Sequence, residues 1–99
     1  MSSQTDTVNQ IRFKAGRPNV THAAAAALEL AQVPDLMLLA RHIHGDWGDV
    51  SEHDCLQNEI ALLLDIRILS RYVLPTGPAI WIVTEADRSA TTILLVEGE

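Results

Sequence analysis

The sequence predicts an α+β fold in which three helices pack on a small three-stranded antiparallel sheet. Residues 21–64 contain apolar positions at helical spacing, with a capping residue or a proline before each run. From residue 66 onward, short apolar runs rich in β-branched residues are separated by turn residues. The chain has 99 residues, 47% of them hydrophobic, so we expect a single domain with a small core.

The first residues carry little structural signal. Residues 1–10 are polar and are predicted to form a disordered lead, so the globular domain is expected to span residues 11–99. A short extended segment is predicted at Ile11 to Lys14. The sequence Gly16-Arg17-Pro18-Asn19 is typical of a turn, which we expect to lead into the first helix.

Two helices are predicted before residue 45. Thr21 can cap the first, from His22 to Gln32, whose alanines form a thin packing surface. Pro34 ends that helix, and Asp35 can cap a second from Leu36 to His44, with Gly45 as its stop. The residues predicted to form the buried stripe of the second helix are Leu36, Leu39, Ala40 and Ile43.

The third helix is predicted to begin after Ser51, since Asp54 three positions later approximates a capping box, and to end near Leu64. Helical spacing groups Leu56, Ile60 and Leu63 on one face, which we expect to point inward. On the opposite face lie Asp54, Gln57 and Asn58.

Three strands are predicted at Ile66 to Leu74, Ala79 to Thr84 and Thr91 to Val96, with a Pro-Thr-Gly-Pro turn between the first two. Both faces of these strands are largely apolar, because Ile80 and Ile82 alternate with Trp81 and Val83. One layer of helices covers only one face. We therefore expect a homodimer, or another protein partner, on the second face.

The net charge of −6 disfavours direct nucleic-acid binding, which depends on Lys and Arg. Residues 42–66 contain no Lys or Arg, and their acidic residues account for the whole excess, a distribution that favours a protein partner with a basic surface. Those residues are Asp46, Asp49, Glu52, Asp54, Glu59 and Asp65. No membrane-spanning run and no leader are evident, so we expect a soluble, cytoplasmic protein.

The segment His42-Ile43-His44-Gly45-Asp46-Trp47-Gly48-Asp49 concentrates ionisable groups between glycines. With His53 it supplies candidate metal ligands, namely His42, His44, Asp46, Asp49 and His53. Two histidines at i and i+2 on a helix point about 160° apart, however, which disfavours a shared metal. The alternative is structural: both aspartates accept backbone N–H groups in a tight turn, and Trp47 locks the loop.

The loop from Glu85 to Ala90 carries both charge signs, and Arg88 is predicted to tie it to the acidic loop around Asp46 and Asp49.

No nucleophile elbow, evident histidine partner for a hydroxyl, or glycine-rich phosphate loop is present, so no catalytic residue and no cofactor are predicted. The lone Cys55, in an apolar helical segment, is expected to be a buried thiol.

Several motifs together resemble a family of small bacterial proteins called plasmid-related. They are Arg41-His42, Gly45-Asp46-Trp47-Gly48-Asp49, Arg67-Ile68-Leu69-Ser70, Trp81-Ile82-Val83-Thr84-Glu85-Ala86-Asp87-Arg88-Ser89 and Thr91-Thr92. The resemblance covers roughly Phe13 to Leu95 and implies a protein of plasmids and other mobile elements. Many relatives carry a type I restriction subunit label, which so short a chain does not justify. Here Val96-Glu97-Gly98-Glu99 replaces the family's proline and acidic-aromatic tail.

These observations favour a small nonenzymatic acidic binding protein of a mobile element that interferes with a host restriction or CRISPR complex by protein contact. The residues expected to bind the partner are Asp46, Trp47, Asp49, Glu52, Asp54 and Arg88. Two alternatives remain open at this point. One is a metal-dependent hydrolase or nuclease-like enzyme that uses the His42 to His53 cluster, and the other is a structural homodimer in a plasmid maintenance or transfer assembly.

Overall fold

A computed structural model describes residues 10–96, and it confirms the α+β class with three helices. The predicted polar lead, apart from Gln10, lies outside the described residues. In chain order the elements are β1 (Arg17–Val20), α1 (His22–Ala31), α2 (Asp35–Ile43), α3 (Glu52–Leu64), β2 (Ile68–Val73), β3 (Ala79–Thr84) and β4 (Ala90–Leu95).

The sheet has four strands in the order β1-β4-β3-β2, so the prediction of three antiparallel strands was wrong in one respect. Strands β2, β3 and β4 form the predicted antiparallel meander, whereas β1 pairs with β4 in parallel, with Arg17 opposite Ala90. The predicted turn at Gly16 to Asn19 is therefore mostly strand, and Ile11 to Lys14 is not. Proline is tolerated in β1 because this strand lies at the sheet edge.

The helix caps explain where the helices begin. The Thr21 hydroxyl accepts a hydrogen bond from the Ala24 N–H, and the Ser51 hydroxyl accepts one from the Asp54 N–H, as predicted. Asp35 is the first residue of α2 rather than its cap, because Pro34 holds the cap position without a side-chain bond. Helices α1 and α3 both end in a left-handed residue, Gln32 and Asp65.

The main core lies between one face of the sheet and the first two helices. Alternate strand residues reach it, and α1 contributes the small residues that allow close approach. Its buried members are Ala24, Ala27, Leu28, Leu38, Tyr72, Leu74, Ile80, Ile82 and Ile93. A smaller cluster of Trp47, Ala61 and Ile68 anchors α3 beside β2.

The predicted face of α2 was partly right and that of α3 was wrong. In α2, Leu39 packs against the main core and Ile43 is half-buried, but Leu36 and Ala40 are exposed, and the buried residues are Leu38 and His42. In α3, Leu56, Ile60 and Leu63 point to solvent, and the helix buries Asn58 and Ala61 against β2 instead. Periodicity identified the apolar face of α3 correctly. The face that packs against β2, however, is the one with the smaller residues Asn58 and Ala61.

Among residues 10–96, no single helix is long and apolar enough to cross a membrane. Helices α1 and α2 meet that length and composition only when taken as a pair, and the chain bends by 104° between them.

Candidate functional site

The loop between α2 and α3 seals the outer edge of β2. The Arg71 N–H donates to the Trp47 carbonyl at 3.1 Å, and the Asp49 N–H donates to the Arg71 carbonyl at 2.6 Å. Two residues further along β2, the Val73 N–H donates to the Asp49 carboxylate at 2.9 Å. The loop thus supplies hydrogen bonds that a further strand would otherwise make.

Asp46 fixes the shape of this loop. Its carboxylate accepts hydrogen bonds from the Arg41 guanidinium at 2.7 and 3.3 Å and from the Gly48 N–H at 3.2 Å. Its carbonyl accepts one from the Tyr72 hydroxyl at 2.6 Å. The hydrogen bond from Arg41 holds the pKa of Asp46 below its usual value. Asp46 and Asp49 therefore both have structural partners.

Trp47 closes the loop from the inside and is only 3% exposed. Its ring lies near Phe13 and His42, with centroids 6.1 and 6.0 Å away. The indole N–H donates to Glu59 at 3.2 Å, and Glu59 also receives two hydrogen bonds from Arg12 at 2.7 and 2.9 Å. The Arg12 hydrogen bond lowers the pKa of Glu59. Buried in this way, Trp47 offers no surface to a partner.

His42 is fully buried at the centre of a chain of polar side chains. The distance from Nδ1 to the Ser70 hydroxyl is 2.6 Å, and from Nε2 to the Thr84 hydroxyl 2.8 Å. Thr84 and Thr91 lie opposite each other on β3 and β4, with hydroxyls 2.6 Å apart. The Thr91 hydroxyl ends the chain by donating to the Ala15 carbonyl at 2.7 Å.

The Ala15 carbonyl, the last acceptor in this series of hydrogen bonds, determines which group donates in each of the others. A carbonyl can only accept, so Thr91 donates to Ala15 and accepts from Thr84, and Thr84 in turn accepts from His42 Nε2–H. Burial lowers the pKa of His42 to about 4. The imidazole is therefore neutral at pH 7, and its Nδ1 accepts from the Ser70 hydroxyl.

A Ser–His contact resembles an activated nucleophile, but this one has no access to substrate. Ser70, His42, Thr84 and Thr91 are each completely buried. A nucleophile must reach a substrate carbonyl or phosphoryl group, and no such approach exists here. The polar chain therefore joins α2 to the sheet. The sequence carries no local motif for these contacts, because Ser70 and Thr84 lie 28 and 42 residues after His42.

The five candidate metal ligands do not converge. His42 is enclosed by buried hydroxyl groups, and the His44 ring contacts the Ala40 carbonyl. Asp46 pairs with Arg41, Asp49 accepts a hydrogen bond from the Val73 N–H, and His53 lies exposed on α3. Throughout residues 10–96, no three His, Cys, Asp or Glu side chains are grouped closely enough to hold a metal ion. The geometry gives the hydrolase alternative no ligand set.

Arg88 ties the β3–β4 loop to α3, but through a different partner from the one predicted. Its guanidinium donates to the carbonyls of Ile66 at 2.8 Å and Ala61 at 3.1 Å, at the end of α3, and to those of Glu85 and Ala86 within its own loop. Asp46 is instead paired with Arg41. A cation at a helix C-terminus is a favourable arrangement, since the last carbonyls carry partial negative charge.

Four exposed carboxylates lie on the α2–α3 loop and the first turn of α3. We call this group the acidic rim: Asp46, Asp49, Glu52 and Asp54. Arg41 neutralises part of the charge of Asp46. Glu52 and Asp54 occupy the first turn of α3, where the helix dipole favours negative charge.

The exposed side of α3 carries a row of large aliphatic side chains, which we call the ridge: Leu56, Ile60, Leu63 and Leu64. Their side chains are between 36% and 83% exposed. The spacing i, i+4, i+7 and i+8 places them on one side of the helix, opposite the buried Asn58 and Ala61.

Beside the ridge runs a groove of about 430 Å³ between α3 and the sheet face that lacks a helical cover in the described chain. Its apolar floor consists of Leu69, Trp81, Val83 and Leu94. Asp54, Gln57, Asn58 and Arg67 line its polar parts. The alternation of apolar residues along the strands predicted this second apolar face, but no sequence pattern indicated that α3 borders it.

Comparison of the chain with protein-family models, with curated proteins and with solved structures finds no match.

Proposed function

We propose that this protein is a small nonenzymatic binding protein that acts by contact with other proteins through the solvent-exposed side of α3. The ridge carries this proposal. Small monomeric domains expose apolar residues singly, whereas a contiguous apolar row beside polar groups is typical of an interaction surface. Four neighbouring aliphatic side chains on one helix face are such a row.

The acidic rim supports a partner with a basic surface. It lies at one end of the ridge, so an apolar contact and an electrostatic one can form together. Complementary charge increases the rate of association and excludes partners of the wrong sign. Glu52 and Asp54 are the members best suited to this role, because Asp46 and Asp49 already hold the loop.

The resemblance to plasmid-related proteins supports a specific class of partner. Restriction and CRISPR complexes of the host expose basic channels for nucleic acid, which an acidic protein of a mobile element could occupy. Interference with such a complex is therefore the biological role we propose. It requires no catalytic group, in keeping with the enclosure of His42 and Ser70.

A pull-down from host lysate tests this role with the rim variant Glu52→Lys, which leaves every residue that lines the groove unchanged. Asp46 and Asp49 are left unchanged because their carboxylates hold the loop. The control, Glu29→Lys, makes the same change in net charge at another exposed site on a helix. Circular dichroism first establishes that both variants are folded.

We expect wild type and control to retain a defence subunit that the rim variant loses. Equal capture by all three proteins would reject the acidic-rim mechanism. Capture of no defence subunit by the wild type would reject interference with a defence complex.

A further inference from the structure

We propose that a second copy of this chain occupies the groove, with the two α3 helices antiparallel and the ridge of each copy seated in the groove of the other. The inference rests on the proposed function in one respect, namely that the exposed side of α3 is a contact surface. It goes further by assigning the ridge and the groove to a second copy of the protein, so that the rim residues outside the groove, Asp46, Asp49 and Glu52, stay exposed on the dimer for the host partner.

The ridge and the groove are complementary features of the same molecule. The ridge presents aliphatic side chains, and the groove floor is made of Leu69, Trp81, Val83 and Leu94. Because they lie side by side along α3, a two-fold axis next to the helix brings each ridge over the opposite groove. Such an isologous contact buries both apolar surfaces of both copies at once.

Charge at the ends of the groove selects the antiparallel orientation. Asp54 lies near the start of α3, and Arg67 lies towards its other end, where the chain folds back so that the Ile66 N–H donates to the Ala61 carbonyl. An antiparallel second helix places its own Asp54 near Arg67 and the residues after its C-terminus near Asp54. A parallel helix would place like charges together, and like-charge contacts across an interface are unfavourable. Asp65, exposed at the same end as Arg67, offsets part of this attraction.

Neither edge of the sheet offers an easy alternative for self-association. The outer edge of β2 is occupied by Asn58 and by the loop that contains Trp47 and Asp49. The outer edge of the sheet at β1 is four residues long and includes Pro18, which has no N–H to donate. Association through faces, rather than by strand addition, is therefore the arrangement that the sheet permits.

Sedimentation equilibrium on the purified full chain tests the proposal with two matched leucine variants. Leu63 in α3 and Leu30 in α1 lie near the ends of their helices and are 83% and 79% exposed. We expect the wild type and Leu30→Glu to have twice the 10.9 kDa mass of one chain. Leu63→Glu should be monomeric, with a dissociation constant raised at least about 100-fold, because a symmetric interface contains the substitution twice.

Exchanging the charges of Asp54 and Arg67 tests the antiparallel orientation of the two α3 helices. Asp54→Arg alone and Arg67→Asp alone should each weaken the dimer, whereas the double variant should restore it, since the opposite charges again face each other. A monomeric wild type, an unaffected Leu63→Glu dimer, or a double variant weaker than both single variants would overturn the proposal.

These outcomes are separate from those of the pull-down. A monomeric wild type that still captures a defence subunit through the rim would overturn the dimer alone. A dimer that captures no such subunit would overturn only the proposed interference.

Discussion

The side-chain amide of Asn58 pairs with both backbone groups of Leu69. Asn58 Nδ2 donates to the Leu69 carbonyl at 2.7 Å, and the Leu69 N–H donates to Asn58 Oδ1 at 3.2 Å. A primary amide presents the same donor and acceptor pair as a peptide group, so α3 takes the place of a neighbouring strand at this point. Together with the loop bonds to Arg71 and Val73, it leaves β2 as a covered edge.

Asn58→Ala should lower the free energy of unfolding by about 2 kcal/mol, because it leaves the N–H and carbonyl of Leu69 without their partner. Urea unfolding at neutral pH measures the change. The neighbouring exposed residue provides the control, and Gln57→Ala should change the free energy by less than about 0.5 kcal/mol. Equal stability of the two variants would mean that Asn58 does not stabilise this edge.

Arg88→Ala should lower the free energy of unfolding by about 2–3 kcal/mol, because the guanidinium donates to four carbonyls, two of them at the end of α3. Arg88 also has a positive φ of 63°. Arg88→Gly should therefore be less destabilising than Arg88→Ala, since glycine relieves the backbone strain of about 1 kcal/mol.

Thermal and chemical unfolding of both Arg88 variants, beside Arg17→Ala on the exposed β1, measure the effect. Arg17→Ala should leave the melting temperature nearly unchanged. If Arg88→Ala did the same, the tie between the hairpin loop and α3 would have no energetic importance.

Gly48→Ala should destabilise the protein severely, by roughly 4 kcal/mol. Gly48 has a φ of +78°, and an added Cβ would collide with the Arg71 carbonyl and the Tyr72 ring. Gly77 is the matched control, because its φ of +116° is also unfavourable for alanine but no atom lies within 4 Å of the added Cβ. Gly77→Ala should cost only about 1–2 kcal/mol. Comparable melting temperatures for the two variants would contradict the close approach of the loop to β2.

His42 should make the protein less stable as the pH falls from about 6.5 towards 4. Its pKa is lowered to about 4 by burial, so between these values the unfolded chain binds a proton that the native protein does not. The stability contributed by the neutral imidazole is complete above pH 6.5. By pH 4 the loss amounts to about 3 kcal/mol, at about 1.4 kcal/mol per unit.

Urea unfolding of the wild type, His42→Gln and His53→Gln across this pH range isolates the effect. His42→Gln should be less stable at pH 7.5, yet its stability should vary less with pH. His53→Gln is the control, because it makes the same substitution at an exposed histidine. The lowered pKa values of Asp46, Glu59 and Asp87 act in a more acidic range, where those carboxylates take up protons. Parallel pH profiles for wild type and His42→Gln would show that another group controls the acid sensitivity.

Local signals predicted the helix starts and much of the meander. Thr21 and Ser51 each accept a hydrogen bond from the backbone N–H three positions later, and Ala79–Thr84 alternates as a strand should. Such features depend on neighbours in the chain, which a sequence displays directly. The predicted structural role of the two aspartates in the turn holds for Asp46, which accepts from the Gly48 N–H, whereas Asp49 accepts from the Val73 N–H on β2 instead.

Long-range relationships were not predictable in the same way. Nothing local in Arg17–Val20 indicates a strand that pairs with β4 at the far end of the chain. The partners of His42 lie on two later strands, so the enclosed polar chain had no sequence signature. Helical spacing predicted that the residues of the ridge share one face of α3. Spacing alone does not distinguish a face buried within one molecule from a face presented to another molecule.

The pairing of β1 with β4 affects how the chain folds during synthesis. Arg17 lies opposite Ala90, so β1 has no partner strand until nearly the whole described chain has left the ribosome. The hydrogen bond that the Ala15 carbonyl accepts also requires Thr91, which lies on β4. Pairings between distant parts of a chain form slowly, since a long loop must close first. Until β4 emerges, the growing polypeptide presents an incomplete sheet, and β1 stays without its partner strand.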